Sequence, residues 1–341
     1  MNITHIGVDL AKSVFSLHGV DERGRRHLRR DLRRAQMLPF FATQPACVVG
    51  LEACSGAHYW ARELGKLGHE VRLINPRFVV PYRKSNKNDH NDAEAICEAL
   101  TRPSMRFVAV KSPEQQAVLT VHRARALLSS QRGALMNQIR GLLGEFGIVV
   151  AQSPSALRTR LPEILEDADN ALPDLAREIF AELYERLLEQ ERCLAEYDKR
   201  IKRLARASEP AQRLMKVPGI GATIATAALA TGGDLSVFRN GREFAAWLGL
   251  VPRHSASAGK CRTGRITKRG DIYLRTMLVH GARAALRTAG RRDDALSHWA
   301  LAVKERRGPN KAVVALAAKH ARIIWAMLVR DLDYQPRPLG A

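Results

Sequence analysis

The sequence predicts an α/β unit with a mixed sheet at residues 1–110, a helical and coiled-coil region at 111–206, and a mainly helical C-terminal region at 207–341. Three patterns carry this reading. Short apolar runs come first and then alternate with helical patterns, leucines next recur every seven residues, and basic residues gather in the last third.

Taken in order, His5 to Asp9 alternates apolar and small residues, and Val14 to Val20 is a second short strand. The basic stretch Arg25 to Leu32 is a candidate third. Ala46 to Glu52 is a continuous apolar run, the mark of a strand covered on both faces. A helical pattern follows at Ala57 to Leu67, then a strand at Glu70 to Asn75 stopped by Pro76, then a helix from about Asn91 to Thr101. Ser112-Pro113-Glu114 has the form of a helix start, with proline at the first helical position. Val121, Leu128, Leu135 and Leu142 repeat at seven-residue spacing beyond it. Leu183, Leu187, Gln190, Leu194, Tyr197, Ile201 and Leu204 keep a 4-3-4-3 rhythm, a seam of about three heptads. Such a seam serves a hairpin within one chain or a contact between subunits, and its spacing does not choose.

Composition narrows the function. With 55 Lys+Arg against 34 Asp+Glu the formal charge is +21, which speaks of a polyanionic partner rather than of a fold. A hydrophobic content of 46% fills real cores and excludes a disordered basic tail. The best apolar stretch, Ala312 to Val329, is interrupted by Lys319, His320 and Arg322 and reads as a helix of a soluble protein, not a membrane span. The N-terminus lacks a signal-peptide layout. The five cysteines (Cys47, Cys54, Cys97, Cys193 and Cys261) include no Cys-x-x-Cys pair, which fits a reducing cytoplasm and not structural zinc.

Four carboxylates are candidates for metal chemistry. Asp9 and Glu52 each end an apolar strand, and the carboxyl ends of neighbouring strands open into one crevice. Asp89 and Asp92, three apart at a helix start, share a helical face. Four crowded carboxylates repel one another unless divalent cations compensate, and oxygen ligands suit Mg²⁺. Paired ions of this kind cut phosphodiesters. The plainer reading makes Asp89 and Asp92 a helix cap with a favourable first-turn charge, and Asp9 and Glu52 solvated strand ends.

Lys216-Val217-Pro218-Gly219-Ile220-Gly221 lies between two helical patterns, as in a helix-hairpin-helix whose backbone N–H groups meet a phosphate. A plain helical turn is the alternative. Downstream, between Arg253 and Arg292, eleven Lys/Arg accompany the single acid Asp271. A serine-bearing loop of small residues there is flanked by Arg253, Lys260, Arg262, Arg265, Lys268 and Arg269, a set suited to gripping phosphates. There is no Gly-x-Ser-x-Gly elbow, so an esterase reading fails.

Ile-Gly-Val-Asp9-Leu-Ala-Lys, Leu-Glu52-Ala, Asp89-x-x-Asp92-Ala, Pro218-Gly-Ile-Gly, Gly-Leu-Val-Pro252-Arg and Ser257-Ala-Gly-Lys…Gly-Arg-Ile-Thr-Lys-Arg-Gly270-Asp occur in this order along nearly the whole chain. Together they resemble the bacterial insertion-sequence transposases of the IS110 family, and within it the IS1111 subgroup. The resemblance implies an N-terminal RuvC-like domain of RNase H fold, a coiled coil, and a C-terminal transposase domain with a nucleophilic serine. It puts the DEDD metal set, for Mg²⁺ or Mn²⁺, on Asp9, Glu52, Asp89 and Asp92, and the serine on Ser257. Ser255 competes for that role, because the loop reads Ser-Ala-Ser-Ala-Gly where the family pattern is Ser-Ser-Gly-Gly. It further implies donor and target DNA as substrates, an element-encoded noncoding guide (bridge) RNA, a covalent 5′-phosphoserine link, and a dimer that assembles to a tetramer. Two other classes are distinguishable. A metal-dependent, structure-selective nuclease resembling a Holliday junction resolvase needs the carboxylates and no serine, whereas a nucleic-acid scaffold needs neither.

Overall fold

The computed structural model describes residues 2–84, 86, 88–257 and 260–336, with the side chains of 256, 257, 260 and 261 outside the description. The chain divides into two compact units, residues 1–113 with 232–237, and residues 114–231 with 238–341.

In the first unit six strands, β1 (His5–Leu10), β2 (Val14–Val20), β3 (Arg26–Arg33), β4 (Val48–Glu52), β5 (Glu70–Ile74) and β6 (Phe107–Val108), form one sheet in the order β3-β2-β1-β4-β5-β6. The first three strands are antiparallel neighbours, β1–β4 and β4–β5 are parallel, and β5–β6 is antiparallel. This is the mixed α/β sheet that the N-terminal pattern predicts, and it is consistent with a DEDD, RuvC-like domain. The helices are α1 (Met37–Ala42), α2 (Ala57–Lys66), α3 (Pro76–Val79) and α4 (Asp89–Leu100).

Alternation along the strands sorts the two faces. Ile6, Val8, Phe15, Leu17, Val49, Leu51 and Leu73 bury against Phe41, Trp60 and Leu64 of α1 and α2. On the opposite face, Ile74 packs with Ala95, Ile96, Ala99 and Leu100 of α4. Glycine at Gly7 and Gly50 lets α4 lie close to this face. A Cβ at Gly7 would stand 2.3 Å from the Ala93 carbonyl oxygen, and one at Gly50 would stand 3.1 Å from Ile96.

The second unit begins with α5 (Pro113–Glu145), α6 (Pro154–Glu166) and α7 (Asp174–Arg206). All seven seam positions of α7 are buried or half-buried, and Phe180 extends the fully buried row of Leu187, Leu194 and Ile201. Leu183 and Leu187 pack with Met136, Ile139, Leu157 and Leu161 of the same chain. In α5 the seven-residue row is half-buried at Val121, Leu128 and Leu135 and 39% exposed at Leu142, while Met136, Ile139 and Leu143 are buried. Ion pairs Arg125–Asp198 and Arg132–Glu191 link α5 to α7.

The remainder comprises α8 (Glu209–Met215), α9 (Ala222–Gly232), α10 (Gly241–Trp247), the hairpin β7 (Pro252–Ser257) and β8 (Lys260–Ile266), α11 (Ile272–Thr288), α12 (Ala295–Arg307) and α13 (Pro309–Val329). By length and composition alone α13 is apolar enough to cross a membrane. Its Ala312, Leu316, Ala317, Ala321 and Ile324 are nevertheless buried, and it packs against α10, α11 and α12, as a core helix does.

Candidate active site

Strand register assembles the carboxylate row. Val8 pairs with Leu51 on parallel neighbours, so Asp9 and Glu52 are the next residues along adjacent strands. Asp9 shares the face of Gly7, and Glu52 that of Gly50, which is the face covered by α4. Across the antiparallel side, Asp9 pairs with Ser16 and Ser16 with Asp31. The row therefore reads Asp31, Ser16, Asp9, Glu52 over four neighbouring strands.

The path of α4 brings its first turn to this row. The Cys97 thiol contacts the His5 carbonyl oxygen at 3.8 Å, and Ala93 lies over Gly7, so α4 runs antiparallel to β1. Four strand residues from His5 to Asp9 span about 13 Å. Eight helical residues from Cys97 back to Asp89 span about 12 Å. Asp89 thus comes level with Asp9, and Asp92 lies one helical turn behind it, nearer the level of Gly7. They are not the helix cap: Asn88 caps α4, its side chain accepting from the Asn91 N–H at 2.8 Å. The capping reading of Asp89 is replaced, and both aspartates lie inside the helix.

Positive charge and hydrogen bonds meet two of the acids around this row, Asp92 and Asp31. Arg83 Nη1 stands 3.1 Å from Asp92 Oδ1. The Ser16 hydroxyl donates to Asp31 Oδ1 at 2.7 Å, and His90 Nε2 lies 3.3 Å from Asp31 Oδ2. Burial, and then the charges of Glu52 and Asp9, hold the Cys54 thiol above its ordinary pKa, so both carboxylates lie near the same turn. Among the described residues no three His, Cys, Asp or Glu side chains stand close enough to hold an ion as they are. The donor set itself, carboxylate oxygens alone, suits a hard divalent cation. Arg83 supplies positive charge at Asp92 in this arrangement.

The other unit carries the serine hairpin. Ser257 pairs with Lys260 and Ser255 with Arg262 across β7 and β8. The side chains of Ser257 and Lys260 lie outside the described residues. Arg253, Ser255, Arg262 and Arg265 are exposed, as are Lys268 and Arg269 beyond the hairpin. Among the described residues none of those arginines or Lys268 is ion-paired, so they present uncompensated charge to solvent.

The neck of this hairpin is built tightly. Gly249 and Gly270 have positive φ, and a Cβ on either would strike the backbone of Arg269 or Trp247 at 2.2 and 1.8 Å. Buried Arg275 donates from Nη1 to the carbonyl oxygens of Leu248 and Arg269, both at 3.0 Å. Sequence reading missed Arg275, because a lone helical arginine carries no signal of burial.

The glycine hairpin joins α8 to α9. Gly219 has φ +87, and a Cβ there would lie 2.5 Å from the Gly281 carbonyl oxygen of α11. Close packing alone accounts for that glycine. Gly221 is exposed with open space around it, and its carbonyl accepts the first helical bonds of α9. Nearby, the Thr226 hydroxyl donates to the Ala222 carbonyl, so His122 Nε2–H donates to Thr226 and its Nδ1 accepts from the Tyr273 hydroxyl at 2.9 Å. Burial lowers the His122 pKa to about 4 and keeps the ring neutral.

Comparison with known proteins finds family matches in two stretches of the chain. Residues 6–148 match a transposase family described as DEDD transposase of the IS110 type, and residues 211–298 match the "Transposase IS116/IS110/IS902 family". A "Probable family 20 transposase" of Pseudomonas aeruginosa is 50% identical over 98% of this chain and 100% of its own length. The "Transposase for insertion sequence element IS1111A" of Coxiella burnetii is 42% identical, covering 98% of this chain and 92% of its own. The transposase for IS1328 of Yersinia enterocolitica is 40% identical over 96% and 97%.

Proposed function

Because this chain belongs to the IS116/IS110/IS902 family of insertion-sequence transposases, we propose that it cuts and rejoins DNA with Ser257 as nucleophile and Asp9, Glu52, Asp89 and Asp92 as a metal-binding set. The observation that carries the second half is the shared row: two strand-end carboxylates on one face, with the first turn of α4 laid level with them. A DEDD transposase domain implies a divalent metal. When bound there, Mg²⁺ or Mn²⁺ neutralises carboxylate repulsion and polarises a phosphoryl oxygen.

The chain's own groups do the rest. The Ser257 oxygen forms a bond to phosphorus while the bond to the 3′ oxygen breaks, and the serine proton ends on the released 3′ hydroxyl. A 5′-phosphoserine link remains, and attack by another strand's 3′ hydroxyl reverses the chemistry to rejoin. Arg253, Lys260, Arg262, Arg265, Lys268 and Arg269 grip neighbouring phosphates and offset charge developing at phosphorus. Gly221, exposed at the start of α9, presents the backbone of a helix-hairpin-helix to the DNA, and Gly219 shapes the turn beside it. The resemblance adds an element-encoded guide RNA, so that base pairing supplies sequence choice. It also adds a coiled-coil-mediated dimer that assembles to a tetramer, division into domains at 1–110, 111–206 and 207–341, and a cytoplasmic location.

A suicide-substrate assay with Mg²⁺, the element's noncoding RNA and end-labelled DNA tests this on denaturing gels. A DNA-linked protein band present in wild type and Ser255→Ala, and absent in Ser257→Ala, is expected. Free ends without an adduct, indifferent to Ser257→Ala but abolished by Asp9→Asn, would make the protein a metal-dependent nuclease instead.

A further inference from the structure

The edge strand of the sheet carries a second concentration of arginine, apart from the serine hairpin. β3 is the outermost strand beside β2, and its residues include Arg26, Arg29, Arg30 and Arg33. Pairing settles which of these share the face of Asp9. Arg29 lies opposite His18, Asp31 opposite Ser16, and Arg33 opposite Val14, all of the parity that faces α4. The irregularity at Gly19/Val20 turns Arg26 to the same side, opposite Val20. Leu28 and Leu32 point instead into the core of the other face. Burial first, and then nearby charges including Arg26 and Arg29, act on His18, as guanidinium groups on its own face must.

The only acid on this face of the strand is already engaged, since Asp31 accepts from Ser16 and meets His90. Among the described residues Arg26, Arg29 and Arg33 have no carboxylate within ion-pairing distance. Charges on an edge strand also block unwanted strand pairing, a task that lysine usually performs. That task does not require three unpaired arginines on one face, in line with the carboxylate row. Guanidinium forks match phosphate oxygens, and mutual repulsion among them falls when a polyanion lies across them.

We propose that Arg26, Arg29 and Arg33 form a phosphate track that holds the DNA strand being processed, on the β3 side of the Asp9–Glu52 row. The proposal rests on the reading of that row as the metal centre. β3 stands two strands from β1, roughly 10 Å away at ~4.8 Å per strand. Arg29 and Arg33 are about 13 Å apart along the strand. That separation covers about four nucleotide steps at ~3.4 Å of rise each. The track therefore engages backbone a few nucleotides to one side of the scissile phosphate.

The test is DNA affinity measured by anisotropy over a salt series, in EDTA, with a labelled duplex from the element's own end. Arg29→Gln/Arg33→Gln is expected to reduce the slope of log K against log salt by about 1.8, which is ~0.9 for each phosphate released. Its deficit relative to wild type then shrinks about tenfold between 50 and 200 mM salt. Arg29→Lys/Arg33→Lys should keep most of the slope. Arg160→Gln/Lys199→Gln, exposed on α6 and α7, controls for net charge and should change it little. Ethylation interference should show the lost contacts within a few nucleotides of the cleavage position, on one side.

A wild-type slope in the glutamine variant would overturn the proposal. So would an equal loss in the lysine variant or the control, lost contacts far from the cut, or a reduced slope for the element's RNA alone. Asp9→Asn assayed for cleavage alongside separates the two ideas. Persistent cleavage removes the metal centre, whereas the salt slopes, read without metal, report on the track itself.

Discussion

Adding one methyl group at Gly7 tests whether the spacing between α4 and the sheet sets the active geometry. In Gly7→Ala the new Cβ would stand 2.3 Å from the Ala93 carbonyl oxygen, 2.5 Å from the Cys97 nitrogen and 2.8 Å from the Cys97 Cβ. Non-bonded contacts reach their optimum near ~3.5 Å, so α4 must lift by about 1 Å. All three obstructing atoms belong to helix backbone or to a Cβ, and none can swing aside as the end of a side chain can. Overpacking of this kind destabilises by about 1–3 kcal/mol. The lift also carries Asp89 and Asp92 away from Asp9 and Glu52. A displacement of ~1 Å in catalytic groups lowers rates by about 100-fold. Thermal unfolding should show a melting temperature several degrees lower, DNA affinity should hold, and adduct formation should fall by about two orders of magnitude. Gly65→Ala in α2, where a Cβ meets nothing within 4 Å, is the control and should leave activity unchanged. A folded Gly7→Ala protein that cleaves at the wild-type rate would refute the argument that α4 and the strand ends act together.

The two hairpin glycines should separate fold from binding. Gly219→Ala meets α11 backbone at 2.5 Å with φ +87 and should destabilise by at least about 2 kcal/mol by denaturant unfolding. Gly221→Ala meets open space and should leave stability within ~0.5 kcal/mol, so weakened DNA binding in it reports a phosphate contact directly. Arg275→Met leaves the Leu248 and Arg269 carbonyls without their donor, and should lower stability by about 1–3 kcal/mol and raise hydrogen exchange at the hairpin neck. Acid should destabilise the protein through His122, whose folded pKa of about 4 lies below the ordinary 6.5. The unfolded chain then binds the extra proton, so this contribution is complete above pH 6.5 and is lost as pH falls towards 4. The slope is about 1.4 kcal/mol per pH unit. Burial also lowers His320 to about 4, so an acid slope remains without His122. Melting followed from pH 7 to pH 5 should give a slope about 1.4 kcal/mol per pH unit shallower in His122→Gln than in wild type, and equal slopes would contradict the assignment.

Much of the fold was legible before any tertiary contact was known. The apolar runs at His5–Asp9, Val14–Val20 and Ala46–Glu52 became β1, β2 and β4, because alternation and burial on both faces are properties of local sequence. The Ser112-Pro113-Glu114 start became α5 for the same reason, since proline lacks the N–H that a first turn leaves unbonded. The two-residue β6 carries too little pattern to be seen, and the seven-residue row of α5 runs beside its most buried residues rather than through them. Heptad spacing fixes the period of a helix face but not its phase when His122, Met136 and Ile139 are the residues that meet neighbours.

The sequence by itself determined the main strands and long helices, the charge, and the family through its ordered motifs. It did not determine short elements such as α1 and β6, or the β7–β8 hairpin, which it reads as a loop. Tertiary structure alone decided the partnerships. Asp9 and Glu52 are 43 positions apart, and only the pairing of Val8 with Leu51 makes them neighbours. Nothing local marks Asn88 rather than Asp89 as the helix cap, Asp31 as the partner of Ser16 and His90, or Arg275 as a buried clamp. Likewise, Arg26 joins Arg29 and Arg33 on the face of the carboxylates only through one bulge, which no repeat in the sequence reveals. The physical reason is common to all of them. Local pattern sets φ, ψ and which face is apolar, whereas register, close approach and charge pairing arise between segments distant in the chain, where the whole fold sets their separation.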